Sequence, residues 1–154
     1  MSNVRTVRDV PTHIARAEEH EQAGDRLYAV GDDWSAVCYF YAAYHLVKAA
    51  LNADPIFNSL AELQAIHRVL TLDARFAEHH SGGLGTNGRS LGVNEIVFQL
   101  YKNVRTPYTR LHMASCHVRY GRGLESLSAQ TSLDDFKAVK KEYVGGLIVA
   151  PTTK

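Results

Sequence analysis

The sequence predicts an all-α protein, a bundle of four or five helices in up-and-down order. Three observations carry this expectation. Apolar residues recur at spacings of three and four along most of the chain, and no segment alternates with the period of a strand. Prolines, glycines and capping residues then punctuate the periodic stretches at lengths suited to helices.

The first ten residues carry no pattern and are expected to fray. Pro11-Thr12 opens a helix in which Ile14, Ala17, Gly24, Leu27 and Tyr28 form one face, with Arg16, Glu18, Glu19, Glu21 and Asp25 between them. Gly31 stands where a C-terminal cap belongs, and Asp32 or Asp33 suits the next N-cap. The second helix, about Asp33 to Asn52, is apolar nearly all round from Trp34 to Leu51, with Lys48 its one formal charge. Such a helix belongs at a bundle centre or a subunit interface, and its composition predicts a homodimer. Asp54-Pro55 ends it. Ser59-Leu-Ala-Glu62 is a capping box for a third helix, with Leu60, Leu63, Ile66, Val69 and Leu70 as its buried stripe, continuing bent to about His80. Residues 81–92 hold five of the eleven glycines and read as a loop. A short helix follows with Ile96, Val97, Leu100 and Tyr101 buried. Thr106-Pro107 starts another that Gly121 and Gly123 stop, and Thr131 or Ser132 caps a last helix bearing Leu133, Phe136, Val139 and Tyr143. The domain is expected over residues 12–145, between a flexible N-terminus of 1–11 and an apolar tail of 146–154.

Composition excludes several classes of function. Among 154 residues, Lys and Arg number 17 against 16 Asp and Glu, so any functional electrostatics must be local. Apolar residues at 45% argue against disorder. Cys38 and Cys116 alone make neither a zinc ribbon nor a disulfide framework. No hydrophobic signal core and no membrane-length apolar run is present, so a cytoplasmic protein without a membrane partner is expected.

The glycine loop fits two nucleotide-binding patterns on paper. Gly83, Gly85 and Gly88 spell G-x-G-x-x-G, and Gly83-x4-Gly88-Arg89-Ser90 is one residue from a P-loop. Both patterns need a buried strand running into the loop, and Asp73 to His80 is polar instead, so a flexible connector is expected. His79 and His80 point about 100° apart on a helix and do not share an ion easily. No metal or other cofactor is expected. His45, inside the apolar helix, reads as a core histidine bonded to a backbone or hydroxyl group.

The segment Tyr101 to Gly123 is more informative. Lys102, Arg105, Arg110, Arg119 and Arg122 fall in a stretch free of acidic residues, joined by His112 and His117 and interleaved with Tyr101, Tyr108 and Tyr120. A basic patch with stacking groups suits a phosphate backbone and unpaired bases. The opposing possibility is that the acidic first helix packs alongside and neutralises it. Arg110 and His117, seven residues apart, lie within about 20° of one another on one helix face. An imidazole to move the proton of a ribose 2′-hydroxyl and a guanidinium to hold the phosphate can cleave RNA without a metal. A different class, a small-molecule site near Trp34, Tyr41 and His45, has no specific support.

Two blocks together resemble the HEPN superfamily over roughly residues 12–145. Asp33-Trp34-x-Ala36…Phe40-Tyr41-Ala42-Ala43-Tyr44-His45-Leu46-Val47 is similar to the D-W-A…F-Y-A-A-x-H helix of one bacterial HEPN group. Tyr108-x2-Leu111-x3-Ser115-x3-Arg119-Tyr120 is similar to its Y-x2-L-x3-S-x2-A-R-Y helix, with Val118 in place of Ala. His67-Arg68 resembles an H-x2-R element at altered spacing. The resemblance implies a dimeric helical bundle and, in many members, a metal-independent endoribonuclease with an R-x4-6-H motif, of toxin–antitoxin or phage-defence type. Arg110-x6-His117 fits that motif, with Arg110 stabilising phosphate and His117 as acid/base. Arg105, His112, Arg119 and Tyr120 are then the RNA-binding residues. Arg105-x6-His112 also fits, but Pro107 is expected to break the helix between them. Leu111 follows Arg110 where ribonuclease members carry Asn or Asp. The alternative implied is a non-catalytic dimerisation module that binds a nucleotidyltransferase or another antitoxin-like partner.

Overall fold

The computed structural model describes residues 9–78, 80, 83–85, 88–121, 123, 124 and 128–151. Six α-helices lie among them: α1 (Val10–Ala29), α2 (Ser35–Ala53), α3 (Leu60–Ile66), α4 (Val93–Leu100), α5 (Arg105–Arg119) and α6 (Ala129–Val144). Two single 3-10 turns, Pro55–Asn58 and Leu72–Phe76, flank α3. The all-α expectation holds, with more helices than the four or five predicted.

The architecture is organised by α2. Its apolar sequence leaves Ala36, Tyr39, Phe40, Ala42, Ala43, Val47, Ala49 and Leu51 with no exposed surface. Burying a large apolar side chain of this kind stabilises the fold by roughly 1.5–3 kcal/mol. The cover comes from α1, α5 and α6, which all pack on α2, with α5 and α6 also against each other. A single chain therefore buries α2, and the composition of that helix gives no reason for a second copy. The homodimer then rests on the family resemblance alone.

Local chemistry sets the element boundaries. Asp9 caps α1, its side chain accepting from the Thr12 N–H and hydroxyl. The turn into α2 is held by Asp32, which accepts from the Trp34 N–H at 2.9 Å, while Trp34 itself is the half-exposed N-cap. Gly24 lets α1 approach α2 closely, because a Cβ there would lie 2.7 Å from the Tyr39 ring. Ser59 caps α3 as the capping box predicts.

Three expectations are corrected. The third helix stops at Ile66, since the His67 ring takes the Val69 N–H that a continuing helix would send to Ala65. Leu60 and Val69 are exposed, and only Leu63 and Leu70 of the expected stripe are fully buried. Part of the glycine loop forms an antiparallel ribbon, β1 (Gly83–Gly85) with β2 (Gly88–Ser90), in the register Gly83↔Ser90, Leu84↔Arg89 and Gly85↔Gly88. Each strand is three residues long, and among the described residues the two pair only with each other. The last helix starts at Ala129, capped by Ser128 rather than by Thr131 or Ser132, because the Ser128 hydroxyl reaches the Thr131 N–H.

The tail is anchored by a buried carboxylate. Asp54 accepts from the Ile56 N–H, the Tyr101 hydroxyl and the Ala150 N–H, at 3.0, 2.9 and 2.9 Å. Ile148 and Ala150 are buried with it.

Candidate nucleic-acid interface on α5

Helix α5 starts at Arg105 and runs without a break through Pro107. A proline in the first turn removes only an N–H that has no partner within the helix, so the expected interruption between Arg105 and His112 does not occur. Tyr108, Leu111, Ala114 and Ser115 form the buried face. Leu111 is fully buried, so the position after Arg110 faces the core and holds an apolar side chain.

The proposed site residues fall on two faces. By helix geometry Arg105, His112 and Arg119 lie within about 40° of one another, and Arg110 and His117 sit roughly 120–180° away round the helix. Tyr120, at the C-cap, projects between the two sets and is 76% exposed.

On the first face the Arg119 guanidinium donates to the Tyr41 hydroxyl at 3.2 Å and approaches the Cys116 sulfur at 3.7 Å. It also lies over the rings of Tyr41 and Tyr120, 5.9 and 5.4 Å from their centroids. His112 Nε2 lies 3.6 Å from Cys116 Sγ, with its ring against those of Phe40 and His80. Burial, aided by the Arg119 charge, holds the His112 imidazole below the ordinary histidine range. Arg105 donates to the Phe98 carbonyl at 2.8 Å and stacks over the Phe98 ring at 3.8 Å.

The second face differs in kind. Arg110 grips Asp135 of α6 through two bonds, Nε to Oδ2 at 3.1 Å and Nη2 to Oδ1 at 2.7 Å. The Arg110 side chain is half exposed and that of Asp135 almost fully buried. These bonds hold the Arg110 guanidinium even more firmly in its charged form. His117 is half-buried, and its Nδ1 has no hydrogen-bond partner among the described residues.

The charge balance settles which cations are neutralised. Among the described residues the ion pairs are Arg16–Glu19, Arg110–Asp135 and Lys140–Glu21. Helix α1 packs chiefly on α2, its Glu21 taken by Lys140 of α6 and its Asp25 by the Tyr39 hydroxyl. The acidic first helix thus does not neutralise α5. Arg105 and Arg119 have neutral partners, and Arg110 alone among the arginines of α5 is ion-paired. Arg122 lies outside the described residues.

Sequence reasoning missed Tyr41, His80, Cys116 and Asp135 as neighbours of these groups. Cys116 had a signal, since it follows His112 by four and precedes Arg119 by three on one helix. Asp135 and Tyr41 had none, being 25 and 78 residues from their partners. His45, expected to bond a backbone or hydroxyl group, meets another histidine, His13, with the two Nδ1 atoms 3.0 Å apart. His20 stacks on the other side of His45, at 5.5 Å. His79 lies outside the described residues. Among those described, no group of three or more His, Cys, Asp or Glu could hold a metal ion. No described helix is long and apolar enough to cross a membrane. Comparison with protein-family models, with curated proteins and with solved structures gives no match to this chain.

Proposed function

We propose that this chain is a HEPN-like RNA-binding protein that takes single-stranded RNA at the C-terminal half of α5. The observation that carries the reading is Arg119, a cation with neutral partners held between the Tyr41 ring and the exposed Tyr120 ring. A phosphate can pair with the guanidinium while a base stacks on Tyr120, the two contacts single-strand binders combine. Arg105 and His112 extend the same face. Cleavage, in this reading, belongs to His117 and Arg110, roughly 120–180° round the helix, so the strand passes over Tyr120 from one flank of α5 to the other. His117 moves the proton of the 2′-hydroxyl, and the half-exposed Arg110, fixed by Asp135, steadies the phosphate. Such chemistry draws on imidazole and guanidinium and suits a toxin or phage-defence nuclease acting as a homodimer.

A second reading has its own observation. The two-pronged Arg110–Asp135 bond joins α5 to α6, as a structural arginine would, which favours a non-catalytic module serving a nucleotidyltransferase or similar partner. One experiment separates them. Fluorescence anisotropy with a labelled single-stranded RNA should show salt-dependent binding, weakened about tenfold or more by Arg119→Gln and by Tyr120→Ala. In EDTA the RNA should be cut by wild type and left intact by His117→Ala. Binding without cutting selects the module, and no binding at low salt refutes the RNA reading.

A further inference from the structure

Both cysteines are free and half-buried, yet their surroundings differ. Cys38, on α2, lies where burial raises its thiol above the ordinary range. Cys116, on α5, has an imidazole nitrogen at 3.6 Å and a guanidinium nitrogen at 3.7 Å. Those two groups come from residues one turn before and one turn after, so the helix itself sets the triangle. Arg119 is in turn fixed by the Tyr41 hydroxyl, and the His112 ring by Phe40 and His80. Nucleophile, base and an oriented cation are thereby assembled on one face. A separate observation marks the same interior. Tyr108, one turn before His112 and 1% exposed, has a hydroxyl with no hydrogen-bond partner among the described residues, and its ring packs on Phe40, which also meets the His112 ring.

We propose that Cys116 is a reactive thiol, with His112 as its base and Arg119 as its anion-stabilising partner, that is alkylated by haloacetamides, the halide leaving as the S–C bond forms, and oxidised by hydrogen peroxide. In the oxidation His112 Nε2 accepts the Cys116 proton, and the sulfur attacks one peroxide oxygen. The O–O bond breaks as the S–O bond forms. The leaving hydroxide, met by the Arg119 guanidinium, takes the proton back from His112 and departs as water. Sulfur loses two electrons to the peroxide, and Cys116 is left as a sulfenic acid. Reactivity of Cys116 depends on this thiol chemistry alone and is independent of RNA binding.

The test compares two thiols in one molecule. Native protein is treated with limiting iodoacetamide near neutral pH, and alkylation at each cysteine is followed by peptide mass spectrometry. Cys116 should react at least about tenfold faster than Cys38, and the ratio should fall to near one in denaturing urea. Hydrogen peroxide with dimedone should label Cys116 and spare Cys38. His112→Gln and Arg119→Gln, where they keep the helical circular dichroism of wild type, should each slow Cys116 several-fold. Native reactivities that are equal or that favour Cys38 overturn the proposal. So does a folded His112→Gln protein whose Cys116 reacts as in wild type.

Discussion

Lys48 is the one formal charge in the apolar stretch of α2. It is 4% exposed, and its ammonium donates to the Ala77 carbonyl. Burial pulls it from an ordinary 10.5 down to about 8, against a smaller opposing pull from Glu78. The sign of the effect on stability follows from proton counting. Below about pH 8 both folded and unfolded chains carry the proton, and the folded state bears the full cost of a buried ammonium. Between about pH 8 and 10.5 the unfolded chain binds more protons than the folded one, so stability rises with pH. Across the whole window the rise amounts to about 3 kcal/mol, of which about 1 kcal/mol falls between pH 7 and pH 9. Lys48→Met keeps the apolar stem and abolishes the titration, at the expense of the bond to Ala77. Urea denaturation of both proteins over that range should therefore give stability curves that diverge, wild type gaining about 1 kcal/mol on the variant toward pH 9. Parallel curves would refute the argument, because they would mean that the amine titrates alike in both states and is not buried as an ammonium.

Gly24→Ala forces a methyl to within 2.7 Å of a Tyr39 ring that is stacked on Phe136 and bonded to Asp25, so the ring has little room to retreat. A loss of about 1–3 kcal/mol in urea denaturation is expected, despite the better helix propensity of alanine. Arg110→Ala leaves the Asp135 carboxylate, almost fully buried, without its guanidinium. Stability should fall by about 1–3 kcal/mol, and Asp135→Asn should recover part of it in the Arg110→Ala background.

Legibility tracked sequence distance. Helix α2 was legible because its burial is written into consecutive residues, and the Ser59 cap because its partner stands three positions on. The end of α3 was not, since it depends on one ring of His67 turning back to the Val69 N–H in a sequence whose apolar spacing still looks helical. Basic residues on α5 were visible in number but not in state. Only the fold brings Asp135 to Arg110 while sending Glu21 and Asp25 of α1 to Lys140 and Tyr39. The His13–His45 contact, spanning 32 residues, was equally out of reach. Arg110 and His117 stand on one unbroken helix. What periodicity could not supply was which neighbour each side chain would meet.

The bond from Ala150 to Asp54 spans 96 residues, and it bears on the order in which the protein matures. A chain made from its N-terminus has α1 and α2 available to pair as soon as both emerge, because their contacts are local. Asp54 at the end of that hairpin then waits with acceptor capacity that Tyr101 fills in part and residue 150 completes. Each such long-range closure must be made against the entropy of the intervening loop. The carboxylate thus ties together three segments far apart in sequence, and the polar interior beneath Tyr101 is complete only with the segment after α6 in place.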